Sequence, residues 1–417
     1  HFLARAVFGC VPLSHLLHSP SDQMVSVLPR VAVLGAGVAG CTAASRLSRL
    51  GAHVTLLEMG RGPGGRVATR RTREDKRIEV DHGAPLAEIM TPEGLTMAQE
   101  LSDKGWIEGV SEPVGKLKPG ASTLQPEAEQ PALKRFTGKP SMSRWCEGLL
   151  DGSGVVTKFG GMVRGLDVIR DATGDVVGWR LLDKEKAVME ECDWLVVSGS
   201  GVAHSRWSKT FGGVPPLVEA AAGLKDPKLD AAIAAIEGVG SRPVQAALLG
   251  FQDDAAAAWS ALPFHIAEVD GDDTIGKIVL QRRNGMVFVV AHSTHKFAET
   301  AQDAYGSTST AARVGGAASD TNREEEVLAE LVKGLDRCIS GFSPRPSTEA
   351  AAFGPLLHRW GNAFPEGSAF ASPEDGFAPA SRIVWAGDFI GQRSGSIEGA
   401  MLSGASAAEM LMAHMSK

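Results

Sequence analysis

The residues of this 417-residue chain best suited to chemistry by type and spacing are glycines. Gly35, Gly37 and Gly40 stand as G-x-G-x-x-G, directly after the apolar run Val31-Ala32-Val33-Leu34 and ahead of the helix pattern CTAASRLSRLG. Such a turn sets a helix N-terminus, with its free N–H groups and positive dipole end, against a phosphate. Gly35 makes the tight turn, Gly37 leaves room for a diphosphate against the backbone, and Gly40 lets the helix pack on the strand. A second strand pattern, HVTLLE, ends at Glu58, 23 residues after Gly35, where a carboxylate can accept ribose hydroxyls. The unit is expected to hold the ADP half of a dinucleotide, and on its own it suits NAD and FAD equally.

The continuation favours FAD. In RGPGGRVATRR, Gly64 and Gly65 permit another close backbone approach, and Arg66 offers a forked cation to a phosphate or to the flavin side. This stretch resembles the second dinucleotide motif of glutathione-reductase-like flavoproteins of the amine oxidase type. Arg70 and Arg71 read as a solvated face. Near the C-terminus, Gly387-Asp388 follows the apolar run Ile383-Val384-Trp385, which places Asp388 to accept a ribityl hydroxyl. A helix then opens at Ile397-Glu398-Gly399, and its first amides could face the flavin O2 and stabilise negative charge at N1 of the reduced cofactor.

No paired carboxylates, Ser/His/Asp set or metal-spaced His and Cys accompany these motifs. His292 and His295 are three apart without a third ligand and read as satisfied or exposed histidines, so no metal is expected. His82, beside Asp81, is the one side chain that could lie near the isoalloxazine; packing is its other reading. Hydride transfer to a flavin needs stacking and exclusion of water, and a dihydronicotinamide donor needs no side-chain base. An amine substrate would more often require an aromatic cage, which a chain with one Tyr is poorly supplied to build.

The motifs RGPGGRVATRR…DHGAP, RFTGKPSMSRW, RWGNAFP and AGDFIGQRSGSIEGAMLSG occur in the order seen in renalase-like FAD/NAD(P)-binding oxidoreductases, and the chain resembles that family over most of residues 30–417. The resemblance implies a glutathione-reductase-like fold with noncovalent FAD, a reduced nicotinamide as hydride donor, and oxygen as electron acceptor. It also implies that Val163, in VVTKFGGMVRGLDV, presents backbone groups to the adenine. The chain departs from the family at DHGAPLAEI, where Pro85 and Leu86 replace the Gln and aromatic that usually follow DHGA. The cofactor half is thus better matched than the substrate half. Two alternatives stay open: an FAD oxidase or desaturase of an apolar compound, and a flavin fold serving as a structural subunit of a larger complex.

Around these sites the expected fold class is α/β: a Rossmann-like FAD-binding domain with a second, mixed-sheet α+β substrate domain, interleaved in sequence. Residues 30–90, 152–205 and 355–417 are assigned to the first, 91–151 and 206–354 to the second, and 1–29 to an N-terminal extension. SRPVQAALLGF, GKIVLQRRN and MVFVVAHS read as strands over the flavin, and Ala-rich 216–239 as helices of the second domain. Gly199-x-Gly201 reads as a second nucleotide loop for NAD(P)H or as the exit from the first sheet. Residues 301–322 are expected to form a flexible surface loop, with Asn322 and Glu325 capping the helix that follows. A net charge of −7 argues against nucleic acid, and no apolar run is long enough for a transmembrane helix. Five scattered cysteines imply reduced thiols. The acid-free residues 1–21 fit a transit-peptide remnant, which would place the protein in a plastid or mitochondrion and otherwise in the cytoplasm, or an arm that packs on a partner. Protein partners are therefore expected through residues 1–29 and 301–322.

Overall fold

A computed structural model of the chain describes residues 28–128, 130–317 and 320–416. The expectations for residues 1–27 fall outside the described residues. Strand β1 (Arg30–Leu34) runs into helix α1 (Val38–Arg49) and then strand β2 (His53–Glu58), the expected β-α-β order. Both strands are central in a six-stranded sheet. Its order is Val156–Phe159, β2, β1, Trp194–Val197, Ile383–Trp385 and Phe377–Ala378; the first five strands are parallel and the last is antiparallel.

Burial on both faces explains why Val31–Leu34, Trp194–Val197 and Ile383–Trp385 read as unbroken apolar runs. Val31 and Val33 face a core built from α1 and the helices Pro92–Asp103, Arg144–Leu150 and Ile397–Met415. Ala32, one residue out of phase, faces the opposite core, shared with the antiparallel meander Gly165–Cys192 and the helices Pro216–Ala221 and Pro227–Glu237.

The second sheet has seven strands in the order Phe353–Glu366, Gly240–Phe251, Met286–Ser293, Ile275–Arg283, Ile266–Val269, Val114–Leu117 and Gln125–Pro126. In the strand Gly240–Phe251, Ala247, Leu249 and Phe251 point to a core covered by the helix Thr321–Cys338. Ala246 and Leu248 point the other way, to a small core that includes Val80 of the nucleotide unit. The two units meet across that face.

The architecture matches the expected α/β class with a mixed second sheet, and it moves the unit borders. Residues 355–366 belong to the second sheet, where they pair with Gly240–Phe251. The helices of 92–103, 144–150 and 216–237 cover the two faces of the nucleotide sheet. An amphipathic helix shows in sequence that it covers something, but not which sheet. Residues 301–317 also differ from a free loop: the buried Gln245 amide donates to the Ala301 and Ala304 carbonyls at 2.7 and 3.1 Å, and a short helix spans Thr310–Gly315. The next helix is capped by Asp320, which accepts from the Asn322 N–H, and not by Asn322 itself. Among the described residues, no helix is long and apolar enough to cross a membrane.

Candidate nucleotide and substrate cavity

A cavity of about 410 Å³ starts at the glycine turn and continues between the two sheets, a volume within the range of cofactor and ligand sites. At its nucleotide end, Gly35 has φ +103°, and its N–H donates to the Leu57 carbonyl at 2.8 Å. Gly37 caps α1 and opens onto free space, since a Cβ there would meet nothing within 4 Å. Gly40 is a packing glycine: its Cβ would lie 1.9 Å from the Gly35 carbonyl oxygen. Glu58 sits at the end of β2 and holds the turn from the side, accepting from the Ala36 and Gly60 amides at 2.9 and 2.6 Å.

The second glycine pair docks on the first. The Gly64 N–H donates to the Ala36 carbonyl at 2.8 Å, and a Cβ on Gly65 would stand 3.1 Å from the Gly37 Cα. Arg66 follows and joins the two ends of the chain: its guanidinium grips both Asp388 carboxylate oxygens at 2.5 and 2.7 Å and reaches the Ala363 carbonyl at 3.2 Å. Both residues line the cavity, yet the fork of Arg66 and the oxygens of Asp388 are committed to each other. Burial alone would lower the Arg66 pKa, and the Asp388 charge more than offsets it.

Of the residues singled out from sequence, Gly35, Gly37, Gly64, Gly65, Arg66, Gly387, Asp388 and Ile397 lie on the cavity wall. Gly40 lies behind it, and the half-buried Glu58 stands beside the turn, next to the wall. Val163 is buried in the core on the far face of the sheet, outside this wall. Ser396 caps the C-terminal helix, accepting from the Gly399 N–H at 2.9 Å, and presents its first turn to the cavity with Ile397. Glu398 turns the opposite way. Fully buried, it accepts from the Met90 and Thr91 amides, the Thr91 hydroxyl and the Arg393 guanidinium, and so fixes the start of the helix Pro92–Asp103. Gly399 is a contact glycine, with room for no Cβ against the Arg393 carbonyl.

His82 is not on the wall. Its ring stacks on Trp360 at 5.2 Å and meets His358 edge-on at 4.4 Å. Its carbonyl is the part that matters to the cavity, because it accepts from Trp360 Nε1 at 2.8 Å and pairs with His292 Nε2 at 3.2 Å. Those contacts, with the Ala84 N–H donating to the Arg66 carbonyl at 2.9 Å, lay Gly83, Ala84, Pro85 and Leu86 along the wall.

Residues that sequence reasoning did not select complete the substrate end. Lys277 and Glu268 form a pair at 3.6 Å, and Glu88 and Glu127 both bind Arg135. Val114, Val244, Ile266 and Phe364 supply apolar wall. The signal for Lys277 was present, as one polar residue in the strand pattern of GKIVLQRR, but only the pairing of that strand shows which face it takes. No group of described residues is arranged to hold a metal ion.

Burial drives the histidine pKa values down: His82 to about 3, also opposed by Arg70, and His292 to about 4, also opposed by Lys277. His358 falls well below its ordinary value for the same reason. All three are neutral in the folded protein at neutral pH, whereas the unfolded chain protonates them near 6.5. Below that pH the unfolded state binds more protons, so stability is lost as pH falls from about 6.5 towards about 3, and it is fully present above that window. Denaturant midpoints measured across that range are expected to fall with pH. His292→Leu should flatten the slope by up to about 1.4 kcal/mol per pH unit.

Comparison with known proteins agrees with the nucleotide end. Residues 33–101 match the family of NAD(P)-binding Rossmann-like domains. Over 46 residues the chain is 50% identical to hydroxyneurosporene desaturase of Cereibacter sphaeroides, a match spanning 11% of this chain and 9% of that protein's length. In structure the chain is similar to a putrescine oxidase bound to putrescine, with a TM-score of 0.55 and 12% identity, covering 93% of this chain and 99% of the other. Cyclohexylamine oxidase from Brevibacterium oxydans IH-35A gives a TM-score of 0.55 at 11% identity, covering 94% and 100%. The chain therefore carries a Rossmann-like nucleotide-binding unit, and its fold is similar to that of these oxidases.

Proposed function

We propose that the chain is an FAD-dependent oxidoreductase that accepts hydride from a small donor, a reduced nicotinamide in the manner of the renalase-like family, and passes the electrons to oxygen or another acceptor. The observation that carries this reading is the continuity of the cavity from the phosphate cradle into a chamber whose charged groups are already paired. Glu268 is held by Lys277, Glu88 and Glu127 by Arg135, and Asp388 by Arg66. His292 is neutral. Among the described residues, each carboxylate on the cavity wall is paired with a cation and none is left over to receive an ammonium group, which suits a donor that gives hydride without first losing a proton.

FAD fits the residues present. Gly37 and the first turn of α1 receive the diphosphate, and Glu58 can exchange its loop amides for ribose hydroxyls. The bound flavin supplies the hydride-accepting centre. The Arg66–Asp388 pair holds the Gly64-Gly65 loop against the C-terminal motif, and the helix N-terminus at Ser396-Ile397 offers its positive end to developing negative charge. Leu86, Val114, Ile266 and Phe364 exclude water from the chamber. The described cysteines Cys41, Cys146, Cys192 and Cys338 are buried and none lines the cavity, which favours noncovalent attachment.

The apolar wall at Pro85, Leu86 and Ile266 gives a second reading its support, namely oxidation or desaturation of a bulkier apolar compound. Anaerobic addition of NADH and NADPH to the flavin-loaded protein separates the two. Bleaching of the flavin bands by either donor is the expected result. Bound flavin that ignores both donors would reject the nicotinamide reading and leave the apolar substrate.

A further inference from the structure

One polar row crosses the apolar face that the second sheet turns to the nucleotide unit. Leu248, Val290, Val279, Ile266 and Val114 pair in register across five strands of that sheet, apolar at every position. Two residues along each strand, and so on the same face, the register sets Ala246, His292, Lys277, Glu268 and Lys116 side by side. Of these, His292, Lys277 and Glu268 line the cavity, with Val114, Val244 and Ile266 as the apolar wall around them. The pairing register shifts between Ile275 and Lys277, an irregularity of the kind that aims a side chain at a site.

Lys277 Nζ stands 3.6 Å from Glu268 Oε1, outside hydrogen-bond distance. The two are paired as charges, while donor positions on one and acceptor positions on the other stay open. His292 gives its Nε2 hydrogen to the His82 carbonyl at 3.2 Å, and burial, then Lys277, keep its ring neutral. A ligand that only donates or only accepts satisfies one half of the pair and leaves the other unmatched. A primary carboxamide does both, through its carbonyl oxygen and its NH2 group, and adds no charge to the apolar chamber. A carboxylate in the same place would meet Lys277 but oppose Glu268.

We propose that Lys277 and Glu268 select a substrate bearing a primary carboxamide: Lys277 donates to its carbonyl oxygen and Glu268 accepts from its NH2 group. A nicotinamide ring carries that group, so the inference rests on the donor reading given above and names the residues that would choose the amide over the acid. The carboxamide site itself does not require hydride transfer.

Titration of the flavin-loaded protein with nicotinamide and with nicotinate, followed by calorimetry and by displacement of the flavin bands, tests the site without turnover; the calorimetric arm needs no flavin. Wild type is expected to bind nicotinamide at least about tenfold more tightly than nicotinate. Glu268→Gln leaves the row with two lysines and no acid, and is expected to reverse that order. Lys277→Met is expected to weaken nicotinamide by about tenfold and to leave nicotinate unbound. Misfolding cannot create nicotinate binding, so the reversal is diagnostic. The same order in wild type and Glu268→Gln, or no binding of nicotinamide to wild type, would overturn the proposal. Anaerobic addition of NADH and NADPH reads the donor separately. Bleached flavin without the reversal keeps the donor and rejects this site, whereas the reversal without bleaching keeps the site and rejects the donor.

Discussion

Gly37→Val is expected to yield a folded protein that no longer retains FAD. The Gly37 backbone is compatible with any residue, at φ −74°, and a Cβ there meets no atom within 4 Å. The new side chain therefore costs the empty protein little and fills the space in front of the α1 N-terminus that a diphosphate must enter. Losing the amide contacts of one phosphate should weaken FAD by at least about a hundredfold, or about 2.7 kcal/mol. Gly40→Val differs in kind, since its Cβ collides with the Gly35 carbonyl and the turn itself must break. Equilibrium dialysis against FAD and a thermal melt on both variants check the contrast: retained melting with lost binding for Gly37→Val, lost melting for Gly40→Val. A Gly37→Val protein that binds FAD normally would mean that the diphosphate does not lie on this turn.

Asp81→Ala is expected to produce the largest loss of stability among single changes away from the glycines. The Asp81 carboxylate is 3% exposed and accepts from the Thr69 hydroxyl at 2.5 Å, the Met142 amide at 3.0 Å and Arg283 Nη2 at 2.7 Å. Its backbone is gripped by Gln281, so both links tie the nucleotide unit to the strand Ile275–Arg283 of the second sheet. Truncation leaves the Arg283 guanidinium, 14% exposed, without a counter-charge, a change that costs about 3–5 kcal/mol in buried pairs. Glu409→Ala, which removes the exposed Arg46–Glu409 pair, should cost less than about 1 kcal/mol. Urea midpoints of the two variants measure the difference; equal midpoints would show that the Asp81 link does not hold the units together.

The nucleotide half was legible because its requirements are local. Gly35, Gly37 and Gly40 act through a turn of six residues, and β1 reads as apolar because both its faces are covered. Much of the substrate half was not legible. Lys277, Trp360 and Phe364 reach the cavity only because strands distant in sequence pair, as in the register that sets Gln245 opposite Arg359. Glu398 shows the limit within a recognised motif: its place at a helix start was clear, but its side chain answers to Met90 and Thr91, more than 300 residues earlier. Asp388 lies on the cavity wall, while its partner Arg66 sits 322 positions away. The Ala-rich helices between 216 and 237 displayed their apolar faces plainly, yet the sheet they cover follows from topology.

Whether this cradle holds FAD is tested most directly by the visible absorbance spectrum of the purified protein, before and after incubation with FAD and removal of the excess. The two bands of oxidised flavin, retained after removal and absent from Gly37→Val treated alike, are the predicted result. A colourless wild-type protein that stays colourless after reconstitution would contradict it.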